Sequence, residues 1–282
     1  MTIESAPPHE VAPPERPPED EGAPPRWPAW YAPLAFFSAL IALLIAFAVV
    51  GVIAAAAGHD LPTDGTAIQV IGTLVQDLFL VGAALFFASR VARPRAWHFG
   101  LRSAPFWKTV GAAAAALVAF YVFAAIYQTA LHPHGQQDVA KDLGANKGEF
   151  ELVVAAILVV VVAPAAEEVF FRGFFYRALR TRFAMLAAAL IDALVFGAIH
   201  YTGPKTLSVL PVLAVLGFIF CVLYERTGSL FPCIALHALN NAIAYSASVD
   251  NSVAVALPLG AAVVAACAVL PPRVPGPAPA LR

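Results

Sequence analysis

An all-α fold, a polytopic transmembrane bundle of about eight helices, is what this sequence predicts. Its 282 residues are 60% hydrophobic and only 12% charged, with a mean hydropathy of +0.77. A soluble domain carries about 25% charged residues, so water is the wrong solvent for most of the chain. The apolar residues also come in runs, and a membrane helix needs about 20 mostly apolar residues.

Eight such runs lie between the tails, at about 33–57, 66–89, 107–131, 150–178, 183–200, 206–224, 230–247 and 252–270. Backbone groups in lipid must bond internally, so these runs are read as helices. The alternating ten-residue segments of a membrane β-barrel are absent. The fourth run is too long for one straight span, and Pro164 is expected to kink it. Residues 1–32 hold nine prolines and six acidic residues and are expected to be a disordered cytoplasmic tail. Trp27, Trp30 and Tyr31 at its end fit an interfacial belt. No cleavable signal peptide is expected. The remaining organisation is three N-terminal spans over 33–148, a catalytic region over 149–247, and a last span with a short Pro-rich tail over 248–282.

Basic residues set the expected orientation. Arg90, Arg93, Arg95, Arg102 and Lys108 lie in the second connection, Arg177, Arg180 and Arg182 at the fourth, and Arg226 at the sixth. The opposite side offers Lys141, Lys147 and Lys205, with His59 in its first connection. Both termini and the even connections are therefore expected in the cytoplasm of a cell-membrane protein. The net charge of −1 says nothing about a partner, and no nucleic-acid partner is expected. Cys221, Cys233 and Cys267 sit singly in apolar runs and read as small core residues.

An ionisable group within a membrane helix is expensive and marks function or a buried pair. The chain holds Asp77, Glu167, Glu168, Arg172, Asp192, His200 and His237 in such places, with Asn241 beside them. On a helix Glu168 and Arg172 are neighbours at i,i+4 with the acid first. Glu167 is turned about 100° away. Glu168 is thus expected to be a neutralised, structural carboxylate, and Glu167 a free one suited to general acid/base work. His237 and Asn241 share a face at i,i+4, although Asn240 could take the place of Asn241. Asp192 reads first as a buried polar contact, with the orienting of other groups as the lesser reading. A carboxylate, two imidazoles and an amide are what water activation requires, a base or metal making the hydroxide and neutral donors holding the oxyanion. No HExxH, GxSxG or GxxxxGK[ST] occurs.

The segments EEVFFR, FGAIH and HALNN resemble the three ordered motifs EExxxR, FxxxH and HxxxN of the CPBP intramembrane protease family. That family includes the type II CAAX prenyl endopeptidases and bacteriocin-processing or immunity proteins. The likeness covers roughly residues 149–247, including YERTGSLFPCIALHA, and WHFGLR before the third span is similar to a common upstream feature. The resemblance implies that Glu167 activates the attacking water with His200 beside it. It implies that His237 and Asn241 stabilise the oxyanion, while Arg172 supports the helix by pairing Glu168. It further implies an intramembrane endopeptidase acting on a membrane-anchored protein or peptide. A non-catalytic scaffold or immunity protein of the same fold is the alternative. Glu167, His200 and His237 could hold Zn²⁺ with one open position, and metal-free activation by Glu167 fits equally. Counting about 1.5 Å per residue places His200 deeper from the cytoplasm than Glu167 and His237. The fifth helix is therefore expected to tilt or to begin in the interface.

Overall fold

The computed structural model describes residues 24–58, 65–133 and 139–272. The tail up to residue 23, His59 and the chain beyond residue 272 lie outside them. Among the described residues no strand forms. Eight helical rods stand on the eight apolar runs: α1 Tyr31–Ala56, α2 Thr66–Ser89, α3 Phe106–Leu131, α4 Glu149–Arg180, α5 Met185–Ala198, α6 Leu210–Thr227, α7 Phe231–Ser248 and α8 Val253–Val269. α1 to α4 and α6 are long and apolar enough to cross a membrane. α5 and α8 are shorter apolar helices of 14 and 17 residues. α7 has 18 residues but gives part of its apolarity to His237, Asn240 and Asn241. The molecule is an all-α membrane bundle.

α4 does not break at Pro164. It widens into a π-helical stretch at Leu158–Val162, just before the proline, and into another at Val169–Tyr176. A proline ring clashes with the carbonyl four residues back in a regular helix. Here Pro164 instead enters the first turn of the α-helical stretch Ala163–Glu168, where a missing N–H costs little. π-Turns are uncommon and recur at functional sites; Glu167 and Glu168 fall between these two.

Small residues bring the rods together, as expected where lipid supplies no hydrophobic drive between helices. Ala32, Ala35 and Ala39 of α1 and Ala84 and Ala88 of α2 are buried. A Cβ on Gly197 of α5 would lie 3.0 Å from the Leu210 carbonyl and from Ala214 on α6.

The connections alternate between two faces. On one, the Ser103 N–H donates to the Pro272 carbonyl (2.9 Å), Thr181 Oγ1 to that of Trp27 (3.1 Å), and Ser229 Oγ to that of Arg102 (2.6 Å). The start of α1, the α2–α3 connection and the ends of α4, α6 and α8 therefore meet there. All the basic residues assigned to the even connections sit on this side. On the other face Lys147 Nζ donates to Thr66 Oγ1 (2.7 Å) and the Tyr127 hydroxyl to the Ser208 carbonyl (2.7 Å).

The basic face is closed by a packed plug. Trp27 lies 5.1 Å from the Phe99 ring and 5.0 Å from that of Phe174, with the Arg177 guanidinium 4.9 Å over it. This corrects two expectations. Trp27 is buried in protein rather than set in an interfacial belt, where exposed Trp30 remains. Residues 24–32, assigned to the disordered tail, hold this packed Trp27 and the beginning of α1. The plug turns at Gly100, whose φ of +90° only glycine adopts cheaply. A Cβ there would sit 2.6 Å from the Tyr224 hydroxyl. Beside it, buried His98 accepts the Arg95 N–H at Nδ1 (3.3 Å). Burial, then Arg177 and Arg95, lowers its pKa to about 4 and keeps it a neutral acceptor.

Candidate active site

Arg172 organises the centre of the bundle. It is fully buried on α4, and Nη1 donates to Glu168 Oε1 at 2.9 Å, the pair the i,i+4 spacing predicts. Its Nε stands 3.6 Å from Asp192 on α5, and Nη2 donates to the Gly217 carbonyl on α6 at 3.0 Å. The guanidinium plane also lies 4.4 Å from the Phe196 ring and 4.9 Å from that of Phe220. A Cβ at position 217 would come within 3.1 Å of Nη2, so the close approach needs glycine. One rigid cationic fork thus joins three helices, a geometry open to arginine and not to lysine. Asp192 is a buried polar contact of Arg172 and also accepts from Cys221 Sγ (3.2 Å).

Glu168 has a second partner that the sequence did not reveal. His237 Nδ1 on α7 lies 3.0 Å from Glu168 Oε1. A carboxylate already paired with Arg172 accepts and does not donate, so the imidazole carries its proton on Nδ1. Nε2 is left as the acceptor and faces Glu167 Oε2 at 3.8 Å, beyond hydrogen-bonding distance. His200 stands in the turn after α5, with Nδ1 2.7 Å from the Phe196 carbonyl. A carbonyl can only accept, so His200 also keeps its proton on Nδ1. The identity of these two acceptors fixes both tautomers.

Asn241 Nδ2 donates to the Val159 carbonyl at 2.9 Å, inside the π-helical stretch before Pro164. Asn240 instead accepts from the Tyr121 hydroxyl on α3 (3.4 Å). Asn241 and not Asn240 lines the cavity described next.

That cavity, of about 350 Å³, is walled by Glu167, His200, His237 and Asn241 together, with Asp77 of α2 on another side. Glu167 is buried, and its Oε2 has no hydrogen-bond partner among the described residues. The cavity runs past Leu143 and Gln69 to Thr202 and Ser248, on the face opposite the basic one. The depth conflict over His200 eases here. α5 covers only about 21 Å at 1.5 Å per residue, and the cavity extends to the turn beyond it.

The arrangement can hold a water against a base, two imidazole acceptors and an amide donor. It does not, as it stands, fit a metal. Among the described residues no three His, Cys, Asp or Glu side chains are grouped as ligands. Glu167, His200 and His237, expected as the zinc ligands, share the cavity without forming that set.

Residues 149–243 match the family model described as type II CAAX prenyl endopeptidase Rce1-like. The match runs from the start of α4 into α7 and holds all three motifs, which bears out the resemblance read from them. α1 to α3 and α8 fall outside it. No curated protein and no solved structure matches the chain.

Arg172→Ala leaves Glu168 and Asp192 as unpaired buried carboxylates, a loss of about 3–5 kcal/mol. The yield of folded protein and its melting temperature should both fall sharply. Arg172→Lys should recover only part of the loss, because an ammonium cannot span Glu168, Asp192 and the Gly217 carbonyl together. Full recovery by lysine would remove the guanidinium fork from the account.

Proposed function

We propose that this chain is an intramembrane endopeptidase that hydrolyses a peptide bond in a membrane-associated protein or peptide, with Glu167 activating the water. One observation carries the reading: of two adjacent glutamates, Glu168 is held by Arg172 and His237 and does not line the cavity, while Glu167 does. Glu167 Oε2 takes a proton from the water as the oxygen bonds to the scissile carbonyl carbon. The carbonyl's π electrons move to its oxygen, and Asn241 donates an Nδ2 hydrogen to that oxyanion. Collapse re-forms the carbonyl and breaks the C–N bond. The amine departs with the proton that Glu167 took up.

In their neutral forms His200 and His237 present Nε2 lone pairs, and one of them accepts the water's second hydrogen while Glu167 takes the first. The oxyanion-donor role that the resemblance implies for His237 needs the imidazolium, which a proton relayed from Glu167 would form. Zn²⁺ carries no step here, since the ligand set is not assembled. CAAX-type processing is the family-level precedent for the substrate.

We place the protein in the cell membrane with both termini and the basic face in the cytoplasm, following the asymmetry of Arg and Lys. The cavity mouth at Thr202 and Ser248 then opens outside.

Two measurements test this. Membrane proteomics of cells carrying Glu167→Ala should show uncleaved precursors that are absent with the unaltered protein. Asn241→Ala should slow the same cleavages by about 10²–10³-fold. Unchanged processing in Glu167→Ala cells would overturn the enzymatic reading. For orientation, single cysteines at Thr202, Ser248 and Arg93 can be placed in a chain whose three native cysteines are serine. An impermeant maleimide on intact cells should label 202 and 248, and label 93 only after permeabilisation. The reverse pattern would invert the map.

A further inference from the structure

Asp77 takes no part in the chemistry above, yet it is costly to keep. Its carboxylate is 4% exposed on α2, and neither oxygen has a hydrogen-bond partner among the described residues. A buried carboxylate without a partner is penalised heavily. Among the described residues it forms no hydrogen bond with Glu167, His200 or His237. It does line the same cavity as those residues.

Asp77 also ends a pattern. Gln69, Thr73, Gln76 and Asp77 all line the cavity and follow helical spacing on one face of α2. The stripe descends from the mouth, where α2 begins, to Asp77 about 12 Å further in at 1.5 Å per residue. Three carboxylates, Asp77, Asp142 and Glu167, line the cavity, and no lysine or arginine does. Arg172 is consumed by Glu168, Asp192 and the Gly217 carbonyl. Among the described residues, neither oxygen of the buried Asp77 carboxyl group has a hydrogen-bond partner. α2 lies outside residues 149–243, the segment that matches the family model.

We propose that Asp77 is a specificity residue, the end of a subsite that accepts a lysine or arginine side chain of the substrate beside the scissile bond. The inference rests on reading the cavity as the substrate site. The polar stripe of α2 lines the path of the entering peptide with amide and hydroxyl groups, and Asp77 completes an ion pair when the basic side chain arrives. The resting protein tolerates an unpartnered buried carboxyl group that only substrate relieves, a trade of stability for function.

The test uses full-length protein in nanodiscs with Glu167→Gln, so that binding is read without cleavage. The probes are fluorescent alanine-based heptapeptides carrying one lysine, arginine, norleucine or glutamate at each position in turn. At one position lysine and arginine should bind at least about tenfold tighter than norleucine. Adding Asp77→Asn should bring the basic and norleucine peptides to within about twofold, while Asp77→Glu keeps most of the preference. Asp77→Asn should also raise the melting temperature without peptide, since it removes an unpartnered buried carboxyl group and keeps the shape. Equal binding of basic and neutral peptides in the Glu167→Gln protein would overturn the proposal. So would a melting temperature lowered by Asp77→Asn, which would make the residue structural. A basic preference that persists while Glu167→Ala cells process proteins normally would remove the endopeptidase reading and leave the subsite. Cleavage without any basic preference would do the opposite.

Discussion

A full positive charge in the middle of a lipid-embedded bundle must be neutralised where it stands, and most of the site follows from how Arg172 achieves this. Its fork fixes Glu168 on its own helix, Asp192 on α5 and a backbone carbonyl on α6, and two aromatic rings cover its faces. Glu168 in turn orients His237 on α7. Four helices are thereby registered by one side chain, and the histidine tautomer is set as a by-product. Glu167, one residue away, points elsewhere because helix geometry allows no other direction. The two neighbouring carboxylates therefore acquire opposite fates, one spent on structure and one left available.

The backbone of α4 contributes as much as its side chains. Pro164 is absorbed by a widened turn, and the same widened turn holds the Val159 carbonyl that accepts from Asn241. A regular helix kinked at the proline would not present that acceptor in the same way. The second π-helical stretch packs Phe170, Phe171 and Phe174 into the core. These rings belong to the apolar wall that keeps water away from Arg172.

Helix positions were legible in the sequence because each apolar run must satisfy its own backbone in lipid. The observed rods deviate from the runs by a few residues, most at the start of α6. The Glu168–Arg172 pair was legible because it is local, four residues apart on one helix. The Glu168–His237 bond was not, since the partners are 69 residues apart and nothing in a single sequence states which faces of α4 and α7 meet. Asn241 and Asn240 could not be told apart by spacing, because the deciding contacts lie on α3 and α4. Trp27 misled for a physical reason. An aromatic beside an apolar run suits an interface equally well whether its neighbour is lipid or protein, and only the fold of the 96–102 segment decides.

The central claim is that two adjacent glutamates divide structure from chemistry. The most direct measurement compares Glu167→Gln and Glu168→Gln side by side, reading melting temperature and turnover of one identified substrate on the same nanodisc preparations. The account predicts that Glu167→Gln loses turnover and keeps its melting temperature. It predicts that Glu168→Gln melts several degrees lower, having left Arg172 with a neutral partner and His237 with a weaker acceptor. Retained turnover in Glu167→Gln, together with a lost one in a Glu168→Gln protein that melts normally, would contradict the account and exchange the two roles.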